Sequence, residues 1–287
     1  PERTVRVSPS QIESAERCPL DWAISTLGGG GPQLAADIGT LLHAALETAA
    51  RTGDGETPSA EELMRIVEAE WGALAFDANW QEEQQRGFAR AMVDGIVDYL
   101  RSFRDSGGEL LGTEVRFSLR IGQAVLSGSA DRLEARTDGS GERRVSVVDL
   151  KTGKRLPPKA ERESHAQLQA YQLGVNEGAF EAVLDAALGV EPGLEPGAEP
   201  GSAARSGGAR LLYVHPKALG KNGARYAEAE QAALSPEAEE MFRARVAAVA
   251  EVMAAGAFAA NVEHHCEDDY ALGTSCRIHI VPAVSHA

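Results

Sequence analysis

Long apolar runs are missing from this chain. No stretch stays apolar for long enough to cross a membrane, and no basic segment leads into an apolar one. These two absences predict a cytoplasmic protein. Cysteine is scarce: three in 287 residues, an odd number with no small-domain framework around it, which argues against a disulfide fold. Basic residues are in deficit, 28 Lys and Arg against 43 Asp and Glu, a net charge of −15. Nucleic-acid-binding domains usually carry a basic footprint, so this count opposes such a role. It is compatible with one only if the cations are grouped on one face or neighbouring domains deliver the strand. The first residue is Pro1 rather than Met, which reads as a piece cut from a longer polypeptide or a processed start. The rest is ordinary for a globular chain: 43% hydrophobic, 25% charged, and long enough for one large domain or two small ones.

Periodicity orders the chain. Ser8-Pro9-Ser10 caps a short helix that ends near Cys18-Pro19. Helical spacing continues through residues 20–27, 34–51, 59–76 and 81–103. Strands are predicted over 110–119, 123–135 and 143–151, then a helix over 164–176, a strand over 210–215 and a helix over 235–256. The order predicts an α/β or α+β core with a helical N-terminal extension. The three Glu-Pro-Gly triplets and the Ser/Gly stretch of 189–208 predict a flexible insertion within one domain spanning 1–287.

The most informative segment is Val145-Ser-Val-Val-Asp-Leu-Lys-Thr-Gly-Lys154. A strand turns alternate side chains to one face, so Asp149 and Lys151 share a face, with Val145 and Val147 further back. An acid and a lysine at the end of an apolar strand are costly to hold unless they serve a purpose. Together they can bind a divalent cation and steady a phosphate or an attacking water. Standing alone, D-x-K is more often a solvated strand end. The preceding strand, 124–134, changes that balance because it carries Asp131. Asp138-Gly-Ser-Gly141 marks a hairpin between the two. A five-residue loop, 138–142, sets Asp131 opposite Asp149; a four-residue loop displaces the pairing by one, and a bulge restores it. Opposed carboxylates repel, and a cation between them removes the penalty.

Three further groups each have two readings. His43 lies one helical turn from Glu47, and is either a packed or surface histidine or a metal ligand. Gln167 and Tyr171 share a helix face, and are either a half-buried face over a core of Leu168 and Leu173 or donors to a phosphate or base. Cys18, Cys266 and Cys276 are either free thiols or ligands that join the two ends of the chain through a metal.

In order along the chain stand Ser8-Pro-Ser10 with Cys18-Pro19, Gly39-Thr40-x-x-His43, Gly128-x-x-Asp131, Val148-Asp-x-Lys151-Thr-Gly and Gln167-x-x-x-Tyr171. This set resembles the RecB-family nuclease domain of the PD-(D/E)xK superfamily, and within it the C-terminal nuclease modules of actinobacterial Adn-type helicase–nucleases. Cys18-Pro-Leu-Asp-Trp22 and the alanine-rich composition are similar to that group. The resemblance implies a restriction-endonuclease-like α/β core, a mixed sheet flanked by helices. It implies a Mg²⁺- or Mn²⁺-dependent deoxyribonuclease in which His43, Asp131, Asp149 and the Leu150 carbonyl hold the cation. Lys151 would orient the attacking water, and Gln167 and Tyr171 would position the strand. The implied substrate is single-stranded DNA, delivered by a helicase motor domain with a partner subunit during double-strand-break repair.

The C-terminus departs from the family pattern. Many members hold a [4Fe–4S] cluster with one early cysteine and a late C-x2-C-x5-C, whereas here Asp269 stands where the second late cysteine would be. A four-cysteine iron–sulfur cluster is excluded. A cluster with His264, His265, Asp269 or His279 as fourth ligand, zinc, or no metal remain, and the two chain ends are expected to pack together in each case. Two rival functions stand beside the nuclease. One is a non-catalytic DNA-guiding or interaction module that keeps the fold; the other is a metal-dependent phosphoesterase for small substrates.

Overall fold

Strand-forming alternation from residue 109 to 151 and helical spacing on either side of it produce a mixed sheet flanked by helices. The computed structural model describes residues 4–27, 34–51, 57–137, 141–187, 205–218 and 223–261. The elements in chain order are β1 (Val5–Val7), α1 (Pro9–Arg17), α2 (Pro19–Leu27), α3 (Leu34–Arg51), α4 (Ala60–Ala69) and α5 (Asn79–Asp105). Then come β2 (Glu109–Ile121), β3 (Ala124–Thr137), β4 (Arg143–Lys151), α6 (Lys159–Glu163), α7 (Ala166–Asn176) and α8 (Glu181–Ala187). The last three are β5 (Arg205–Tyr213), β6 (Ala227–Gln231) and α9 (Pro236–Ala255). No helix among the described residues is long and apolar enough to cross a membrane.

The chain divides into two units. The smaller comprises Pro1–Gly31, Leu119–Ser127 and Glu240–Ala287. Within it β1 runs parallel to the first residues of β3, Val5 beside Ala124. Pro9 opens α1, and the Ser8 N–H donates to Gln11 Oε1 at 3.0 Å, closing the first turn. Both ends of the described chain meet here. The Leu20 N–H donates to the Ala259 carbonyl at 3.2 Å, Trp22 stands edge-on to Phe258, and Arg245 grips Glu16 with two bonds of 2.7 and 2.8 Å.

The larger unit comprises Pro32–Ser118 and Gly128–Glu239. Here β3 and β4 are antiparallel, with Arg132 opposite Val148 and Thr137 opposite Arg143, the register that a five-residue loop predicts. β4 and β5 are parallel, joined through α6, α7 and α8, and β6 closes the edge antiparallel to β5. One face of this sheet presents Val148, Leu150 and Leu212 to a core built with α3, α4 and α5. The other face is covered by α7, in which every residue from Leu168 to Val175 is buried. Leu168 and Leu173 are core residues, as in the first of the two readings of this helix, although Tyr171 is fully and not half buried.

Several boundaries differ from expectation. The helix expected over 59–76 stops at Ala69, and Trp71–Ala73 form a 3-10 turn; Gly72, a weak helix former, sits at its centre. The strand expected at 210 begins at Arg205. Residues 205–208 of the expected insertion therefore belong to β5, while 189–204 lie outside the described residues. Gly207 and Gly208 read as linker, but the tight approach of neighbouring strands is what they permit: a Cβ on Gly208 would lie 2.5 Å from the Gln231 carbonyl oxygen. β1 and β6 were not legible. The first is three residues long, and the second reads Ala-Glu-Ala-Glu-Gln, poor in β-branched or aromatic residues.

Charge is buried on the α5 side of the sheet. Arg132 and Glu134 are 2% and 1% exposed. Glu134 Oε1 accepts from Tyr99 Oη at 2.7 Å and from Arg132 Nε at 2.9 Å, and its other oxygen accepts from Arg210. Arg210 also pairs with Glu228 at 3.0 Å. Removing the shared carboxylate would leave Arg132 without this partner, and breaking a buried pair in this way costs about 3–5 kcal/mol. Glu134→Leu is therefore expected to lower the unfolding free energy by about that amount in urea titration; a loss under about 1 kcal/mol would show that water or neighbouring groups compensate.

Candidate metal-binding active site

Four elements of the larger unit converge on one cluster. Asp131 comes from β3, Asp149 and Lys151 from the end of β4, His43 from α3, and Gln167 and Tyr171 from α7. The local sequence explains each placement. Gly39 and His43 are one helical turn apart, and a Cβ on Gly39 would lie 3.3 Å from Thr152 Oγ1, just beyond the end of β4. A small residue there lets α3 approach the strand end closely enough to bring His43 to Asp131. Gln167 and Tyr171 are likewise one turn apart on α7, over the face that bears Asp149.

The polar contacts form a chain with few loose ends. His43 Nδ1 lies 3.1 Å from Asp131 Oδ2, which also accepts from the Leu150 N–H at 2.7 Å. Asp149 Oδ1 accepts from Gln167 Nε2 at 2.7 Å and from Tyr171 Oη at 2.8 Å. Tyr171 Oη in turn accepts from Gln167 Nε2 at 2.8 Å and lies 3.1 Å from the Ser129 carbonyl. Lys151 Nζ donates to Gln167 Oε1 at 2.8 Å and stands 2.6 Å from Asp149 Oδ2. That last contact is a close ion pair, so Lys151 is the partner of the buried Asp149 Oδ2.

Electrostatics follow from burial. Asp149 is 2% exposed. Burial pushes its carboxyl above the ordinary value and Asp131 adds to that, while Lys151 and the Tyr171 hydroxyl pull it back without cancelling the rise. For His43, burial pulls the imidazole down, but the hydrogen bond and charge of Asp131, with Asp149 and Glu114 behind it, outweigh burial and raise it. The Tyr171 phenol is raised by burial and by the two aspartates, so it stays a hydrogen-bond donor.

The sequence motifs did not include Glu114. Its carboxylate and the ligand atoms of His43 and Asp131 lie within 4.8 Å of one another, and Ser129 Oγ donates to it at 3.0 Å. Glu114 adopts φ 49°, a left-handed conformation uncommon for a residue with a side chain. In the alternation of β2 it reads as one more solvent-facing acid. The signal available was Gly112 two residues earlier, since an isolated glycine in a strand marks a local irregularity.

These donors suit a hard divalent cation. Carboxylate oxygens with one imidazole are ligands that Mg²⁺ and Mn²⁺ accept, and Glu114, Asp131 and His43 offer that set within 4.8 Å of one another. Cys18 belongs to the smaller unit, where it is 1% exposed. Cys266 and Cys276, with His264, His265, Asp269 and His279, lie outside the described residues.

Comparison with known proteins gives one informative match. The family model described as the PD-(D/E)XK nuclease superfamily matches residues 6–277. No curated protein matches the chain. A solved structure of the protein SSO0001 aligns over 75% of this chain and 85% of its own at 19% identity; its TM-score is 0.26, too low to carry an argument.

A cation held by His43, Glu114 and Asp131 needs His43 neutral, and the His43 imidazole holds a proton more readily than usual. Lowering the pH therefore favours the proton over the cation. Mn²⁺ affinity measured by calorimetry is expected to fall from pH 7.5 to 5.5, by up to about tenfold per pH unit for each proton displaced. An affinity independent of pH over that range would place the cation elsewhere.

Proposed function

The chain belongs to the PD-(D/E)XK nuclease superfamily, and from that premise we propose that it hydrolyses phosphodiester bonds of single-stranded DNA with Mg²⁺ or Mn²⁺, as the nuclease module of an Adn-type helicase–nuclease in double-strand-break repair. The observation that carries the hydrolytic reading is the hydrogen-bonded set of Asp131, Asp149, Lys151, Gln167 and Tyr171, with His43 beside it. The helicase motor and partner subunit rest on the family resemblance alone.

His43, Asp131, Asp149 and the Leu150 carbonyl would hold the cation. A bound cation polarises a phosphoryl oxygen and lowers the pKa of a bound water. The other groups act around it. Lys151, with its side chain 31% exposed, is reachable by a phosphate while Asp149 and Gln167 hold its ammonium in place. There it orients the attacking water and balances negative charge on the scissile phosphate. Gln167 and Tyr171 direct Asp149 through Oδ1, on the oxygen opposite the one that pairs with Lys151. Tyr171 is 1% exposed, so its part is to orient the carboxylate and not to touch the strand. Leu150 N–H fixes Asp131 in the same way. The order of strengths follows: losing a ligand removes the site, losing the lysine removes one charge contact, and losing an orienting hydroxyl loosens a ligand.

The test is cleavage of end-labelled single-stranded DNA with Mg²⁺, Mn²⁺ or EDTA. Cutting is expected only with a cation and only by chains with Asp149; Asp149→Ala should abolish it. Lys151→Ala is expected to slow it by about 10²–10³-fold, and Tyr171→Phe by about 10–100-fold with weaker Mn²⁺ binding. If the unmutated chain, alone and joined to its motor, leaves the DNA intact in every condition, the non-catalytic guiding module takes its place.

A further inference from the structure

A cavity of about 570 Å³ lies at the other end of β4 from Asp149. Arg144 and Ser146 line it, and along a strand their side chains alternate with those of Asp149 and Lys151, so they belong to the opposite face. Arg136, Lys159 and Arg162 complete a basic lining, joined by the paired Arg210 described above. Glu163 and Glu230 are the carboxylates among its lining residues. Five cations against two acids is the reverse of the whole chain, where acids exceed bases by 43 to 28.

The strand register makes this grouping costly. Arg136 lies directly opposite Arg144 across β3 and β4, and Arg144 lies opposite Arg205 across β4 and β5. Like charges at facing positions repel. Acids answer much of the charge singly, Glu142 at 2.7 Å from Arg144, Glu163 at 3.6 Å from Lys159, and Glu134 and Glu228 on Arg210, while Arg136 lies 5.5 Å over the Phe103 ring. Arg162 Nε is buried and has no hydrogen-bond partner among the described residues. The backbone of β5 also runs close against this wall, since a Cβ on Gly207 would lie 2.8 Å from Arg144 Cβ and 3.2 Å from Ser146 Oγ. A side chain there would displace Arg144.

We propose that this cavity is a phosphate-binding site separate from the acid cluster. Its volume falls in the range of small-ligand sites, roughly 300–1,000 Å³, and suits a nucleotide-sized group. An anion in this cavity offsets the repulsion between Arg136 and Arg144 along the register row. Arginine forks fit phosphate oxygens with paired bonds. The phosphate has two possible sources, a free nucleotide or the backbone of a nucleic-acid strand. The inference does not depend on the hydrolytic reading, because binding can be read in EDTA with no bond cut.

The experiment is calorimetric and fluorescence titration of the full chain in EDTA with dTMP, thymidine and a twelve-residue oligothymidylate. Three proteins are compared: the unmutated chain, Arg136→Gln/Arg162→Gln and Asp149→Ala. The double variant is expected to bind the phosphate ligand about tenfold more weakly, and Asp149→Ala is expected to bind at least as well as the unmutated chain. Loss for both dTMP and the oligonucleotide identifies a nucleotide pocket. Loss for the oligonucleotide alone identifies a backbone site, and its log affinity against log salt should flatten by about 0.7 for each contact removed. Lys159→Gln, at a side chain 82% exposed and so safe for folding, should weaken the same ligand about twofold. The proposal is overturned if no phosphate ligand binds, if thymidine binds as well as dTMP and the oligonucleotide, or if all variants bind equally.

Discussion

The carboxylate of Asp149 is the group around which the larger unit is arranged. It is held almost out of water at the end of an apolar strand, where an ionised acid is expensive. Tyr171, Gln167 and Lys151 each approach it at 2.8 Å or less, and these contacts offset part of that cost. The fold around it follows from the same need. α7 must lie flat against β4 and β5 to deliver Gln167 and Tyr171 from one face, which is why nearly the whole helix is buried. α3 must approach the strand end within van der Waals contact, which Gly39 allows.

The two faces of the sheet treat buried charge differently. On the α5 side, Glu134 has a donor at each oxygen, and Arg132, Arg210 and Tyr99 surround it. Such a set is closed, and its role is structural. On the α7 side, Asp149 pairs with Lys151, and Asp131 and Glu114 add negative charge nearby. The second arrangement gathers more acid than base, and burial together with the Asp131 charge raises the Asp149 carboxyl. The contrast separates a structural ion network from a site better than burial alone, since both are buried.

Net charge averages over the whole surface and says little about any one patch. A chain with net charge −15 still gathers five basic side chains around one cavity. Local field depends on which side chains adjoin, and strand pairing decides that: Arg136 and Arg144 are eight residues apart in sequence and directly opposite in register.

Much of the site was legible because it is written in short-range patterns. Asp149 and Lys151 share a face by strand geometry, and Gln167 and Tyr171 by helix geometry. Asp131 came within reach once the length of the 138–142 loop set the β3–β4 register. Those elements, the capped α1 and the full span of α3 needed only local periodicity and turn chemistry. What the tertiary structure alone decided is which separate elements meet. Nothing local brings His43 to Asp131 or aims the Tyr171 hydroxyl at Asp149 and not at a strand; packing of α3 and α7 against the sheet does. Glu114 joins the cluster through a left-handed turn of the backbone within β2, which no side-chain pattern encodes. β6 forms because β5 offers it an edge, since its own alanines and glutamates have little preference for a strand. The basic cavity has the same origin, as register and the glycine approach of β5 assemble arginines that the sequence scatters among acids.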